Sequence, residues 1–140
     1  MYGIGFALPD EVSDLFYDTL FVEVIPLPYA VSESAFIDEY VPIWVSWAKG
    51  NLTNFNLTKS TATTLDDSPA QRLEYTYLDK DALALTRELR IFAVEDNILY
   101  HIGYEPRSLS SYYDHILIIQ KMIESFEILD TKRMPHVEVF

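Results

Sequence analysis

The chain has no cysteine, only four glycines and few basic side chains. Each shortage removes a class of function. Without cysteine there is no disulfide, no thiolate zinc site and no cysteine nucleophile. Four glycines with no glycine-rich run cannot build a phosphate cradle. Ten Lys+Arg stand against 22 Asp+Glu, a formal net charge of −12. A free-standing nucleic-acid binder needs basic side chains to displace the cations condensed on phosphate, so nucleic acid is excluded as a partner. A polybasic membrane-surface module fails on the same sign. No apolar run approaches the ~18–20 residues of a membrane span. The longest, residues 41–48, contains Pro42 and Ser46. The opening Met1-Tyr2-Gly3-Ile4-Gly5 has neither a basic nor an apolar leader region, as expected of a cytosolic chain or of a mature form.

What is present describes a folded globule. Hydrophobic residues make up 49% of the 140 positions and aromatics 14%, too much apolar side chain for a disordered acidic tail. The length suits one domain, expected over residues 1–129 with a tail at 130–140. Two N-x-Thr triplets, at Asn51 and Asn56, are weak glycosylation signals because such triplets arise often by chance.

Periodicity orders the elements. Residues 3–8 are a short β-like piece, followed by an acidic connection over 9–18. Residues 19–26 read as a strand apolar on both faces, ended by Pro26 and Pro28. Ser32 or Ser34 can cap a helix over 33–49. Its Phe36, Ile37, Tyr40, Ile43, Trp44 and Trp47 form a helical stripe expected to face the core rather than to make an aromatic binding box. Pro42 should kink it and Gly50 should stop it. Four strands follow, at 56–65, 70–78, 83–94 and 98–104, with turns at Asp66-Asp67, Asp79–Asp81 and Glu95–Asn97. Pairing Ile98, Tyr100, Ile102 and Tyr104 with Leu89, Ile91 and Ala93 sets apolar against apolar and fixes the register. Ser108 or Ser110 caps a last helix, whose Tyr112, Ile116, Ile119, Ile123 and Phe126 recur at four, three, four and three. The class is α+β: an α/β/α sandwich with a central antiparallel sheet.

Several residue groups could carry chemistry. Ser108, Ser110, Ser111, Asp114 and His115 lie together, but the G-x-S-x-G elbow is absent and helix capping explains the serines. His101, His115 and His136 show no H-x-x-x-H spacing. His101 and Glu105, on one face of a strand, would stand ~13 Å apart. A meander alternates its turns between the two ends of the sheet, so Asp66, Asp67, Glu95 and Asp96 should share one end, with Asp79 and Asp81 at the other. Those four acids are the candidate metal site, for Ca²⁺ or Mn²⁺ through oxygen ligands. Turn geometry, which suits Asp and Asn, is the plainer account of them.

The residues also resemble a known family. Leu20-Phe21-Val22-Glu23-Val24, Phe36-Ile37-Asp38-Glu39-Tyr40 and Phe55-Asn56-Leu57-Thr58-Lys59-Ser60 look like the PsbP-like domain. So do the run from Thr64 to Tyr77, the strand and exit Ile98-Leu99-Tyr100-His101-Ile102-Gly103-Tyr104-Glu105-Pro106, and the close Gln120-Lys121-Met122-Ile123-Glu124-Ser125-Phe126. The resemblance spans roughly residues 3–128. It implies a central antiparallel sheet between helices. The family includes the extrinsic PsbP subunit of photosystem II, which helps retain calcium and chloride. A fold cousin is the Ran-binding import factor. The family's opening Tyr-Pro…Trp pattern is not found before Gly3, so the first strand is expected to be missing or replaced. What the resemblance implies is a non-catalytic binding or assembly module, extracytoplasmic, docking on a larger membrane-associated complex. It would reach a membrane only through a partner or a missing anchor. Its expected partner has a basic surface, to meet the acidic ends. The alternatives are a small-ligand or Ca/Mn-binding protein of the same fold and a cytosolic GTPase-binding module.

Overall fold

Two tight turns set the register of the sheet. Asp66 and Asp67 both have positive φ (47° and 65°), as do Asp96 and Asn97 (50° and 60°). Two-residue hairpins need left-handed angles at both positions, and Asp and Asn tolerate them. In the computed structural model of the chain, residues 2–9 and 17–128 are described, with residues 2–9 and 17 placed by their backbone pairing alone. The expected 130–140 tail, His136 and most of the acidic connection lie outside the described residues.

The element order is β1 (Tyr2–Pro9), β2 (Tyr17–Pro26), α1 (Glu33–Asn51), β3 (Thr53–Leu65), β4 (Ser68–Asp79), β5 (Ala84–Glu95), β6 (Ile98–Glu105) and α2 (Leu109–Glu124). The strands form one sheet in the order β1-β2-β6-β5-β4-β3, antiparallel at every junction. Leu89 pairs with Tyr104, Ile91 with Ile102 and Ala93 with Tyr100, the register expected from their apolar match. The β-like piece expected at residues 3–8 is β1, which pairs with β2 along its whole length.

Strand alternation sends each side chain to one of two cores. Under α2, Leu20, Leu89, Ile91, Tyr100, Ile102 and Tyr104 meet Tyr112, Ile119 and Ile123. Under α1, Leu73, Phe92, Val94 and Leu99 meet Ile37, with Phe36, Tyr40, Val41 and Trp44 packed against them. Each fully buried large side chain contributes about 1.5–3 kcal/mol relative to exposure. The sandwich is therefore α/β/α, as expected.

Helix boundaries follow capping chemistry. The Ser108 hydroxyl accepts the Ser111 N–H at 3.1 Å and starts α2. In α1, Ser32 is the N-cap residue, Pro42 lies inside the helix, and Gly50 does not stop it; the helix ends at Asn51. α1 packs over β3, β4 and β5. Its apolar stripe is broader than the part of the helix that these strands cover. Ile43 and Trp47, expected in the core, are 66% and 55% exposed.

Candidate functional site

The middle of the sheet carries a polar network where an apolar layer would be expected. On the α1 face, β4 presents Tyr75 and Tyr77, β5 presents Glu88 and Arg90, and β6 presents Glu105. Glu88 accepts from the Tyr75 hydroxyl at 2.6 Å and from the Tyr77 hydroxyl at 2.9 Å. The Arg90 guanidinium donates to Tyr75 at 3.0 Å, to Glu88 at 3.3 Å and to Glu105 at 3.0 Å. Its plane also lies over the Phe21 ring, 5.0 Å from the centroid. Gly103 makes this possible: a Cβ there would stand 2.2 Å from both an Arg90 nitrogen and the Phe21 ring.

Burial dominates the titration of the group. It pushes the Glu88 carboxyl up, against the pull of Arg90 and the two hydroxyls. It pushes the phenols of Tyr75 and Tyr77 far up as well, so neither ionises near neutrality. Each buried polar atom of the set is hydrogen-bonded, which is what holds charge inside a sheet.

The network opens at the end of the sheet where β4 turns into β5. A cleft of about 560 Å³ is lined there by Thr19, Tyr77, Asp79, Asp81, Thr86, Glu88, Glu105 and Arg107. The Asp79 carboxylate accepts the N–H groups of Asp81 at 2.9 Å and Ala82 at 3.2 Å, and so shapes the loop that forms one wall. Leu83 closes that loop with φ of 51° and is 82% exposed. A leucine held in the left-handed region costs about 1–2 kcal/mol, and such outliers concentrate at sites of function. The cleft thus combines four carboxylates, Asp79, Asp81, Glu88 and Glu105, with one guanidinium, Arg107.

The sequence pointed to the other end. Asp66, Asp67, Glu95 and Asp96 do lie at a common end of the sheet. A cleft of about 330 Å³ includes Asp66 and Asp67 together with Arg72, Gln120 and Glu124, but neither Glu95 nor Asp96. Asp66 accepts the Ile128 N–H at 2.7 Å. Glu95 takes a hydrogen bond from Ser68, and its carboxyl is pushed up by partial burial, then by Asp96, Glu33 and Asp66. Among the described residues no group of three or more His, Asp or Glu side chains is arranged to hold a metal ion. Glu88, Glu105 and Tyr77 were missed as site residues. The available signal was a pair of opposite charges, Glu88 and Arg90, alternating inside an otherwise apolar strand.

The serine cluster does its work as a helix start. Ser108 and Ser110 hydroxyls bond each other, and the Ser111 hydroxyl accepts from Arg107. His115 pairs instead with buried Asp18, 2.6 Å from its carboxylate, which also accepts the Tyr104 hydroxyl and the Arg107 N–H. The serines are therefore helix-start residues, as expected, and His115 is turned to Asp18 rather than to them. His101 and Glu105 bond different partners, Glu23 and Arg90. Both sequon asparagines, Asn51 and Asn56, are exposed. Among the described residues no helix is long and apolar enough to cross a membrane.

No family model and no curated protein matches the chain. Solved structures do. A protein of unknown function from Pseudomonas aeruginosa, PA94, superposes with a TM-score of 0.76 at 12% identity, over 93% of this chain and 85% of that one. LpqN of Mycobacterium tuberculosis, involved in cell envelope biogenesis, gives 0.63 at 12% identity, over 87% and 76%. The solution structure of a cyanobacterial PsbP from Synechocystis sp. PCC 6803 gives 0.56 at 13%, over 91% and 82%. At these identities the likeness establishes the fold.

Proposed function

On this PsbP-like fold, we propose a non-catalytic binding module that docks a basic segment of a protein partner in the cleft between the β4–β5 loop and the start of α2. The observation that carries the reading is the cleft itself: Asp79, Asp81 and Glu105 line an opening that also holds the Tyr77–Glu88 pair, with the exposed Leu83 next in the chain to its Ala82. Rim charges of this kind steer a partner and set its orientation more than they add raw affinity. Arg90 is paired with both Glu88 and Glu105, so Asp79 and Asp81 are the carboxylates left to meet a cation.

We also propose an extracytoplasmic setting. Its support is the fold shared with LpqN, a protein of cell envelope biogenesis. Cell fractionation of the full gene product checks it; recovery in the cytosol alone would end the idea.

The docking reading is tested with a tetra-arginine peptide by calorimetry at low salt. Binding should fall at least tenfold in the Asp79→Asn/Asp81→Asn double variant and stay unchanged in Asp66→Asn/Asp67→Asn. Equal loss in both variants would mean general attraction to an acidic protein and would overturn the cleft as the site.

A further inference from the structure

A second concave site lies on the α1 face, away from the acidic cleft. α1 covers β3, β4 and β5 and leaves the β6–β2 side of that face open. The step so formed is a groove of about 360 Å³, within the range of small-molecule pockets. Its wall is Tyr40, Ile43, Trp44 and Trp47, which share one side of α1 by their three-and-four spacing. Its floor is Glu23 of β2 and His101 of β6.

We propose that this groove binds a small organic ammonium ion, with Tyr40, Trp44 and Trp47 as the aromatic walls and Glu23 as the counter-charge. Two independent features argue for a cation rather than a neutral apolar ligand. The first is ring density. Trp44 and Trp47 stand 6.2 Å apart at 44°, and aromatic rings set around a cavity attract quaternary and alkylated ammonium through their negative faces. Trp44 already behaves this way on the protein's own account, with the Arg90 guanidinium 5.9 Å from its centroid. The second is uncompensated charge. Glu23 is two-thirds buried and, among the described residues, has no Lys or Arg partner; its contact is His101 at 3.3 Å. Burial and the nearby Arg90 hold His101 neutral at physiological pH. Across the groove the Tyr40 phenol is pushed up by burial and then by the Glu23 carboxylate. Arg90, which stands over Trp44, is paired with Glu88 and Glu105.

The exposure pattern agrees. Ile43 and Trp47 are large apolar side chains left open on a helix whose other apolar residues are packed. The groove gives them a use that core packing does not.

The chain supplies its own reporter, because both of its tryptophans line the groove. Titrating the full chain with choline at constant ionic strength should give a saturable change in tryptophan fluorescence. The uncharged isostere 3,3-dimethylbutan-1-ol should bind at least tenfold more weakly. By calorimetry, Glu23→Gln and Trp47→Ala should each weaken choline at least tenfold. Glu23→Gln keeps a hydrogen-bond acceptor for His101, and Trp47 is more than half exposed, so neither should unfold the chain. The Asp79→Asn/Asp81→Asn variant should bind choline as the parent does. No saturable response to choline, equal binding of the alcohol, or unchanged binding in Trp47→Ala would each overturn the proposal. Loss of binding in the Asp79→Asn/Asp81→Asn variant would move the cation to the other cleft and overturn it as well.

Discussion

His101 sits between the rings of Phe92, stacked at 4.6 Å, and Phe21, met edge-on at 5.3 Å. One ring nitrogen contacts Glu23 and the other, Nε2, is buried without a partner. Burial, and then Arg90, pull its pKa from 6.5 down to about 3. An unfolded chain therefore takes up a proton near pH 6.5 that the folded chain refuses. The stability this confers is whole above pH 6.5 and drains as pH falls toward the folded value, at up to about 1.4 kcal/mol per pH unit. His101→Phe keeps the stack and removes the titration. Its stability should gain on the parent by about 1 kcal/mol or more between pH 6.5 and 5, read from urea unfolding at each pH. Parallel curves would show that the imidazole is not insulated. Gly103 is the complementary case, a residue whose importance is its lack of a side chain. Gly103→Ala drives a methyl into Arg90 and Phe21, both pinned by neighbours. The cost should be about 1–3 kcal/mol, seen as a lower unfolding midpoint. A midpoint unchanged from the parent would mean that Arg90 is free to move aside.

Elements differ in how much of them the sequence shows. The β5–β6 hairpin is legible to the residue, because two alternating strands and an Asp-Asn turn allow one register in which apolar meets apolar. The α2 stripe is legible for the same reason. α1 is legible in type and extent, not in burial. Its period tells which side faces the sheet, but the width of the sheet beneath depends on strand order, and strand order is a long-range fact. That is why Ile43 and Trp47 were expected inside. The acidic ends were legible as ends. Which of them holds a cleft was not, since that turns on Glu88 and Glu105 meeting across β5 and β6. The β4–β5 loop offers a test at this scale. Leu83 occupies the left-handed region that glycine enters freely. Leu83→Gly should raise stability by about 0.5–1 kcal/mol, the relief of strain less the added chain entropy. The same variant should weaken tetra-arginine binding if the exposed leucine is part of the docking lip. A less stable Leu83→Gly would show that the side chain packs in a way its 82% exposure denies.

Across the whole molecule the net charge of −12 is not spread evenly. The strands' interiors hold a few paired charges, and at the two ends of the sheet acidic side chains outnumber basic ones. At the end with the two tight hairpins, Glu95 shows the strain. Its carboxyl is pushed up by partial burial and by Asp96, Glu33 and Asp66. A carboxylate whose folded pKa is raised favours the folded chain when protonated, so this repulsion weakens as pH falls and is fullest near neutrality. Mobile ions should weaken it too, because exposed charges this close are screened once the Debye length shrinks to a few ångströms. Sodium chloride should therefore raise the melting temperature at pH 7, and Asp96→Asn should reduce that rise. Calcium and manganese chlorides at matched ionic strength separate screening from chelation. Asp66 already holds the Ile128 N–H and Glu95 the Ser68 side chain, and the cleft at Asp66 and Asp67 does not include Glu95 or Asp96. The divalent salts should accordingly raise the melting temperature no further than sodium does. A larger, saturable rise with Ca²⁺ or Mn²⁺, lost in Asp66→Asn or Asp96→Asn, would show that these acids close on a metal in solution, and that the hairpin end, not the β4–β5 end, is where the molecule's charge is put to use.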